Sequence, residues 1–198
     1  VTLYSHLKFD EAEHRYYLDT TPVPSVTTVL QATGLINYDF LAPALREKYL
    51  ARGQAVHLAT CHNDEGDLVE DTVSDEIRGY LEAWRTFRRD YNFVPHLVEQ
   101  RVCNSQYGFA GTLDRTGRIR GGAEFIIDIK TGAAPAATRC QLAAYASCLP
   151  HPRTRLRRCA ELHADGSYRV IPYQTSDYQR DLNEFLAALE TYRAREEK

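Results

Sequence analysis

Gly111-Thr112-Leu113-Asp114 and, further along, Phe125-Ile126-Ile127-Asp128-Ile129-Lys130-Thr131-Gly132 decide how this chain reads. The second stretch is an apolar run broken at alternate positions by an acid and a base. Strand side chains alternate between faces, so Ile126, Asp128 and Lys130 share one face and Phe125, Ile127 and Ile129 the other. A carboxylate and an ammonium in so apolar a run are costly unless paired or bound to a metal. Asp114 and Asp128 stand fourteen residues apart about a midpoint at Gly121. A hairpin symmetric about Gly121 sets them opposite one another, with Cβ atoms about 4.5–5.5 Å apart. An odd-length loop or a bulge at 120–122 keeps both carboxylates on one face. A two-residue Gly-Gly turn would slip the register by one and separate them.

Two carboxylates that close repel each other, and a hard divalent cation such as Mg²⁺ resolves the repulsion with oxygen ligands. Lys130, on the same face, can hold or help deprotonate an attacking water, or stabilise charge on a phosphate. This suits metal-assisted phosphodiester hydrolysis. The plainer reading is an Asp128–Lys130 surface pair on an edge strand. Gln141 and Tyr145, four apart on the next helix, share a face, and the loop 131–138 returns that face towards the hairpin. His57 lies on an earlier helix; as a third ligand it completes an oxygen/nitrogen site for Mg²⁺ or Mn²⁺. Each of these also has an ordinary reading, as helix packing or as a core or surface histidine.

Outward from the hairpin, the pattern predicts strands at 3–9 and 14–18 and a short helix over Val26–Gln31 capped by Ser25. A helical pattern over 41–60 follows, with Gly53 a weak point, then a polar loop from His62 to Ser74. Ile77, Tyr80, Leu81, Trp84, Phe87 and Tyr91 recur at helical spacing, so 75–91 is a helix whose stripe belongs to the core. Strands at 96–103, 109–117 and 123–131, a helix at 136–149 closed by Leu149-Pro150, strands at 155–163 and 167–173, and a last helix at 177–195 with Asp177 as N-cap complete the pass. The expected class is α/β with a mixed central sheet, organised as one domain over 1–198. Within it, 1–40 form an N-terminal hairpin and short helix, 41–175 the core and 176–198 the C-terminal helix.

With 43% hydrophobic and 26% charged residues, the 198-residue chain can bury a real core. No apolar run approaches the roughly 18 residues of a membrane span, and Val1–Lys8 lacks the apolar region of a signal peptide. The expectation is a cytoplasmic protein without a membrane partner. Five cysteines with no CxxC read as reduced thiols. The net charge of −3 neither announces nor excludes a nucleic-acid binder. Of 24 basic residues only four are lysines (Lys8, Lys48, Lys130 and Lys198), so the surroundings of Lys130 carry more weight.

Gly53-x3-His57, Gly111-Thr112-Leu113-Asp114, Asp128-Ile129-Lys130-Thr131-Gly132 and Gln141-x3-Tyr145, in that order, resemble the PD-(D/E)XK nuclease superfamily, and within it the RecB-like group. His14-x-Tyr16 with Pro24-Ser25-Val26-Thr27 looks like small prokaryotic or phage-borne members. The resemblance covers 53–145 and implies a restriction-endonuclease-like core, a mixed sheet flanked by helices. It implies that Asp114 and Asp128 hold the metal with the backbone carbonyl of Ile129, that His57 is a further ligand and that Lys130 is the catalytic lysine. Gln141 and Tyr145 would line the DNA side, and Glu99 is a candidate outer metal ligand. Two features depart from the pattern. Asp128 stands where Glu is common, which draws the metal closer to the strand. Cys148 and Cys159 lack the spacing of an iron–sulfur cluster, so none is expected. No Walker A motif is present, so any helicase or recombination partner is a separate chain.

Phosphates need cationic partners. Arg115, Arg118 and Arg120 cluster on the hairpin, and Arg153, Arg155, Arg157 and Arg158 form a dense basic run that reads either as a solvated face or as a track for a DNA backbone. The leading expectation is a Mg²⁺-dependent deoxyribonuclease, an exonuclease or structure-dependent enzyme of repair, recombination or phage DNA metabolism. It would act on single strands or the ends of duplexes. The alternatives are a sequence-specific endonuclease, a binding subunit of the same fold that does not cut, and a hydrolase of small phosphoesters.

Overall fold

The computed structural model describes residues 6–119 and 121–197. Three short antiparallel strands, β1 (Leu7–Asp10), β2 (Arg15–Leu18) and β3 (Thr21–Val23), open the described chain as a small sheet. The third strand is not legible in the sequence, because Pro22 in its middle argues against a ladder; it survives as the sheet's edge. Helix α1 (Val26–Ala32) follows, and the Ser25 hydroxyl accepts the Thr28 N–H as expected of its cap. Tyr16, Val23, Cys103 and Ala110 pin the small sheet against the rest of the chain, helped by a 2.8 Å hydrogen bond between the Tyr16 and Thr112 hydroxyls.

Helix α2 (Pro43–Glu65) begins with Pro43, whose missing N–H is harmless in a first turn, and ends at Gly66, which adopts φ +81°. It runs five residues past the predicted end at 60, so the stretch from His62 to Glu65 is helix rather than loop. The cause is tertiary. Asp64 is fully buried and accepts the Trp84 indole N–H at 2.9 Å, Arg88 at 2.7 Å and Arg115 at 2.5 Å, which holds the polar last turn in place. Helix α3 (Asp75–Tyr91) has the predicted bounds and buries the predicted stripe, except that Tyr91 is only partly covered.

Five strands form the main sheet in sequential order: β4 (Val94–Asn104), β5 (Phe109–Arg118), β6 (Glu124–Lys130), β7 (Leu156–Leu162) and β8 (Tyr168–Tyr173). All neighbours are antiparallel except β6 and β7, which are parallel and joined through helix α4 (Thr138–Ser147). The sheet is therefore mixed, as the alternation of patterns predicts. Helix α5 (Tyr178–Glu196) closes the chain; Asp177 occupies its N-cap position but makes no side-chain capping bond.

The alternation along β6 divides the core. Ile126 joins the cluster under α1, α4 and α5, with Val102, Phe109, Leu142 and Phe185. Phe125, Ile127 and Ile129 join Trp84, Phe87 and Val56 under α2 and α3. Helices thus cover both faces of the sheet. Among the described residues no helix is long and apolar enough to cross a membrane.

Candidate active site

The β5–β6 hairpin pairs Arg115 with Ile127, Thr116 with Ile126, Gly117 with Phe125 and Arg118 with Glu124. Every pair is symmetric about Gly121, as the spacing of the two aspartates predicts. Ile119 N–H donates to Ala123 O at 3.2 Å, which closes a loop of odd length. Gly121 and Gly122 take φ +106° and +92°, left-handed values that a side chain would strain.

Continued one step, this register brings Asp114 opposite Asp128, but the backbone ladder stops at Arg115–Ile127. The Asp114 carboxylate takes over there and accepts the Ile129 N–H at 2.6 Å. Asp114 thereby turns towards two groups from other elements. His57, reaching in from α2, sets Nδ1 3.1 Å from Glu99 Oε1 and 3.9 Å from Asp114 Oδ1, while Nε2 lies 3.1 Å from the Ile129 carbonyl oxygen. A carboxylate and a carbonyl only accept, so both ring nitrogens donate and the imidazole is a cation. Burial opposes that charge, but Asp114 and Glu99 outweigh it and lift His57 to about 9. Burial pushes Asp114 up to about 6, against the pull of His57 and with the repulsion of Asp128 added.

Glu99, which the resemblance offered as an outer ligand, belongs in this group. It sits in the middle of β4 at φ +43°, a left-handed conformation that is uncommon for a non-glycine residue and more so within a strand. That kink aims its carboxylate at both His57 and Arg115, the latter at 2.8 Å. Burial would raise the Glu99 carboxyl, but His57 and Arg115 together hold it below the usual range. The ligand atoms of His57, Glu99 and Asp114 lie within 4.8 Å of one another.

Asp128 is paired with the lysine beside it. It is 1% exposed, and the Lys130 ammonium lies 2.9 Å from one of its oxygens and 2.8 Å from the other. The reason is the strand repeat itself, since Lys130 is the next residue on the same face. Burial opposes the lysine's charge, yet Asp128 and Asp114 more than compensate and hold the ammonium protonated well above its ordinary range. Asp128 is buried and Lys130 only partly open, so this is not a surface pair on an edge strand, because β6 lies between β5 and β7.

Gln141 and Tyr145 do face this group. The added Cβ of a side chain at Gly111 would meet Tyr145 Cε1 at 2.8 Å, so the tyrosine lies directly on β5 where only glycine leaves room. Burial first, and then the charge on Asp114, push the Tyr145 hydroxyl well up, with Gln141 drawing it part of the way back. Gln141 Oε1 is buried without a hydrogen-bond partner among the described residues.

Compared with known protein families and with curated proteins, the chain finds no match in either.

The arginines correct the sequence reading. Arg115 is fully buried, held by Asp64, Glu99, Thr60 Oγ1 at 3.0 Å and its own neighbour's carbonyl at 2.7 Å. Arg157 is equally buried, 2.7 Å from Asp181 and bonded to the carbonyls of Arg139 and Gln174. Neither guanidinium is available to a substrate. Arg118 and Arg155 both pair with Glu124, at 2.8 and 3.0 Å, at the opposite end of β6 from Lys130. Six residues of strand separate the two ends, or about 20 Å, too far for either to touch a phosphate at Lys130. Arg120 lies outside the described residues. Strand alternation could have flagged Arg115, which shares its face with the Ile127 it pairs with; the partners Asp64 and Asp181 are too distant in sequence to be foreseen.

A hard divalent cation fits the donor set. One imidazole nitrogen, two carboxylates and the Ile129 carbonyl converge, and oxygen-rich sites with a nitrogen suit Mg²⁺ or Mn²⁺.

Proposed function

We propose that the protein is a metal-dependent nuclease with a restriction-endonuclease-like core, hydrolysing phosphodiester bonds of DNA at this site. The observation that carries the reading is the convergence of His57, Glu99, Asp114 and the Ile129 carbonyl beside the buried Asp128–Lys130 pair. Hydrolysis of a phosphodiester requires neutralising the phosphate and orienting water in line with the leaving oxygen. Mg²⁺ held by Asp114, Glu99, His57 and the Ile129 carbonyl would supply polarisation of the phosphoryl oxygens and acidify water.

The chain's own residues do the rest. Asp114, anchored by the Ile129 N–H, ties β5 to β6 and fixes the acids against that carbonyl. Lys130 presents a protonated ammonium, partly open to solvent, that can donate to a phosphate oxygen or hold the attacking water. Asp128 orients it and balances its charge. Arg115 braces Glu99 from behind, so its role is positioning. Gln141, with an acceptor to spare, can receive a hydrogen bond from the substrate side.

The reading is tested with 5′- and 3′-labelled single- and double-stranded DNA incubated with Mg²⁺, Mn²⁺ or EDTA. Shortening that requires metal is the expected result, and the label pattern reports polarity. DNA left intact with both metals and every end structure refutes it.

A further inference from the structure

Beside Lys130 the surface opens into a groove of about 370 Å³ between the segment 38–52 and the loop 131–133. Its walls are unusual for a surface site. Phe40 is 80% exposed and Leu50 51%, and Tyr38 and Tyr49 join them. Three cations, Arg46, Arg52 and Lys130, line the same groove, and among the described residues its lining contains no carboxylate, in a chain of net charge −3. Arg52 is built into the wall: its guanidinium lies 4.7 Å from the centre of the Tyr49 ring and 5.3 Å from that of Tyr80, and it donates to Thr131 O at 2.9 Å. Its Nε is buried without a hydrogen-bond partner among the described residues.

We infer that this groove receives an unstacked nucleobase of a single strand, next to the phosphate at Lys130. The inference rests on the nuclease reading and deepens it. Aromatic and apolar faces interleaved with cations are the chemistry that holds single-stranded nucleic acid, because every base offers a face to stack and every linkage a negative charge. A base paired inside a duplex cannot reach a groove of this kind without leaving its stack. The groove is continuous with the proposed catalytic group through Lys130, so one strand can satisfy both. Phe40 and Leu50 face solvent at the groove wall, where a base can stack on them.

The test compares a fluorescein-labelled oligothymidylate with a blunt duplex of equal length, by anisotropy in EDTA, for the wild type, Phe40→Ala and Phe40→Tyr. Hydrolysis in Mg²⁺ of methyl p-nitrophenyl phosphate, a phosphodiester that carries no nucleobase, runs alongside. The wild type should prefer the single strand. Phe40→Ala should weaken single-strand binding about tenfold while leaving duplex binding and the small ester unchanged, and Phe40→Tyr should restore it. Phe40 is too exposed for its loss to unfold the chain. If Phe40→Ala binds the single strand as the wild type does, the base subsite is wrong, the exposed face belongs to a protein partner, and the nuclease reading stands. If the wild type hydrolyses neither the ester nor DNA, the nuclease reading falls and takes the subsite with it.

Discussion

Replacing Asp64 by alanine removes the acceptor on which three buried donors converge. Arg115 Nε lies 2.5 Å from one oxygen, and Arg88 NH1 and Trp84 Nε1 lie 2.7 and 2.9 Å from the other. Both Asp64 and Arg115 are fully buried, so solvent cannot take over the charge. Breaking such a pair by deleting one partner costs about 3–5 kcal/mol. Arg115 keeps Glu99 as a second acid, which argues for the middle of that range, about 4 kcal/mol. For a chain of this size each kcal/mol moves the midpoint by about 2–4 °C, so Asp64→Ala should melt roughly 8–16 °C below the wild type. Arg118→Ala is the control, since its exposed pair with Glu124 should contribute less than about 1 kcal/mol. Thermal unfolding followed by circular dichroism reads both. A fall of under about 2 °C for Asp64→Ala, equal to that of Arg118→Ala, would refute the assignment of Arg115 as an internal brace.

Three more perturbations follow from the same geometry. Gly111→Ala drives a Cβ to 2.8 Å from the Tyr145 ring and should cost about 1–3 kcal/mol by overpacking, read as a lower denaturation midpoint in urea. The two helical glycines should respond in opposite directions: Gly79→Ala meets the Ala164 backbone oxygen at 1.8 Å and should destabilise, whereas Gly53→Ala meets nothing within 4 Å and should stabilise by about 1 kcal/mol. Folded His57 keeps its proton to about pH 9 against an ordinary 6.5. Its ion-pair stability is therefore greatest near pH 6.5, fades as pH rises through 9, and also falls below about pH 6, where Asp114 itself takes up a proton. A metal must displace that proton, so excess Mg²⁺ should raise the melting temperature more at pH 9 than at pH 6.5, and an equal rise at both would contradict His57 as a ligand.

Much of the scaffold was legible because its signals are local. The stripe on α3 gave that helix its bounds, and the midpoint at Gly121 gave the hairpin register. The alternation of Ile126, Asp128 and Lys130 with Phe125, Ile127 and Ile129 assigned the two faces of β6. What escaped was set by partners remote in sequence. The last turn of α2 reads as loop because it is polar, yet Asp64 is buried there against Trp84 and Arg115. Arg115 and Arg157 read as surface cations because nothing near them in sequence reveals Asp64 or Asp181. Glu99 enters the sequence reading only through the resemblance, as an outer ligand, since its left-handed backbone has no signature in composition. Asp128 is paired with Lys130, two residues on along the same face of the strand.

The account rests on Asp114 and Lys130 acting in cleavage rather than in folding alone. Asp114→Asn keeps an acceptor for the Ile129 N–H, and Lys130→Gln keeps a donor towards Asp128, so both should fold. The direct measurement is the rate of Mg²⁺-dependent cleavage of labelled single-stranded DNA by these two variants and the wild type. The account predicts a wild type that cuts and variants slower by about a hundredfold or more, with circular dichroism unchanged. Cleavage by both variants at the wild-type rate would contradict it.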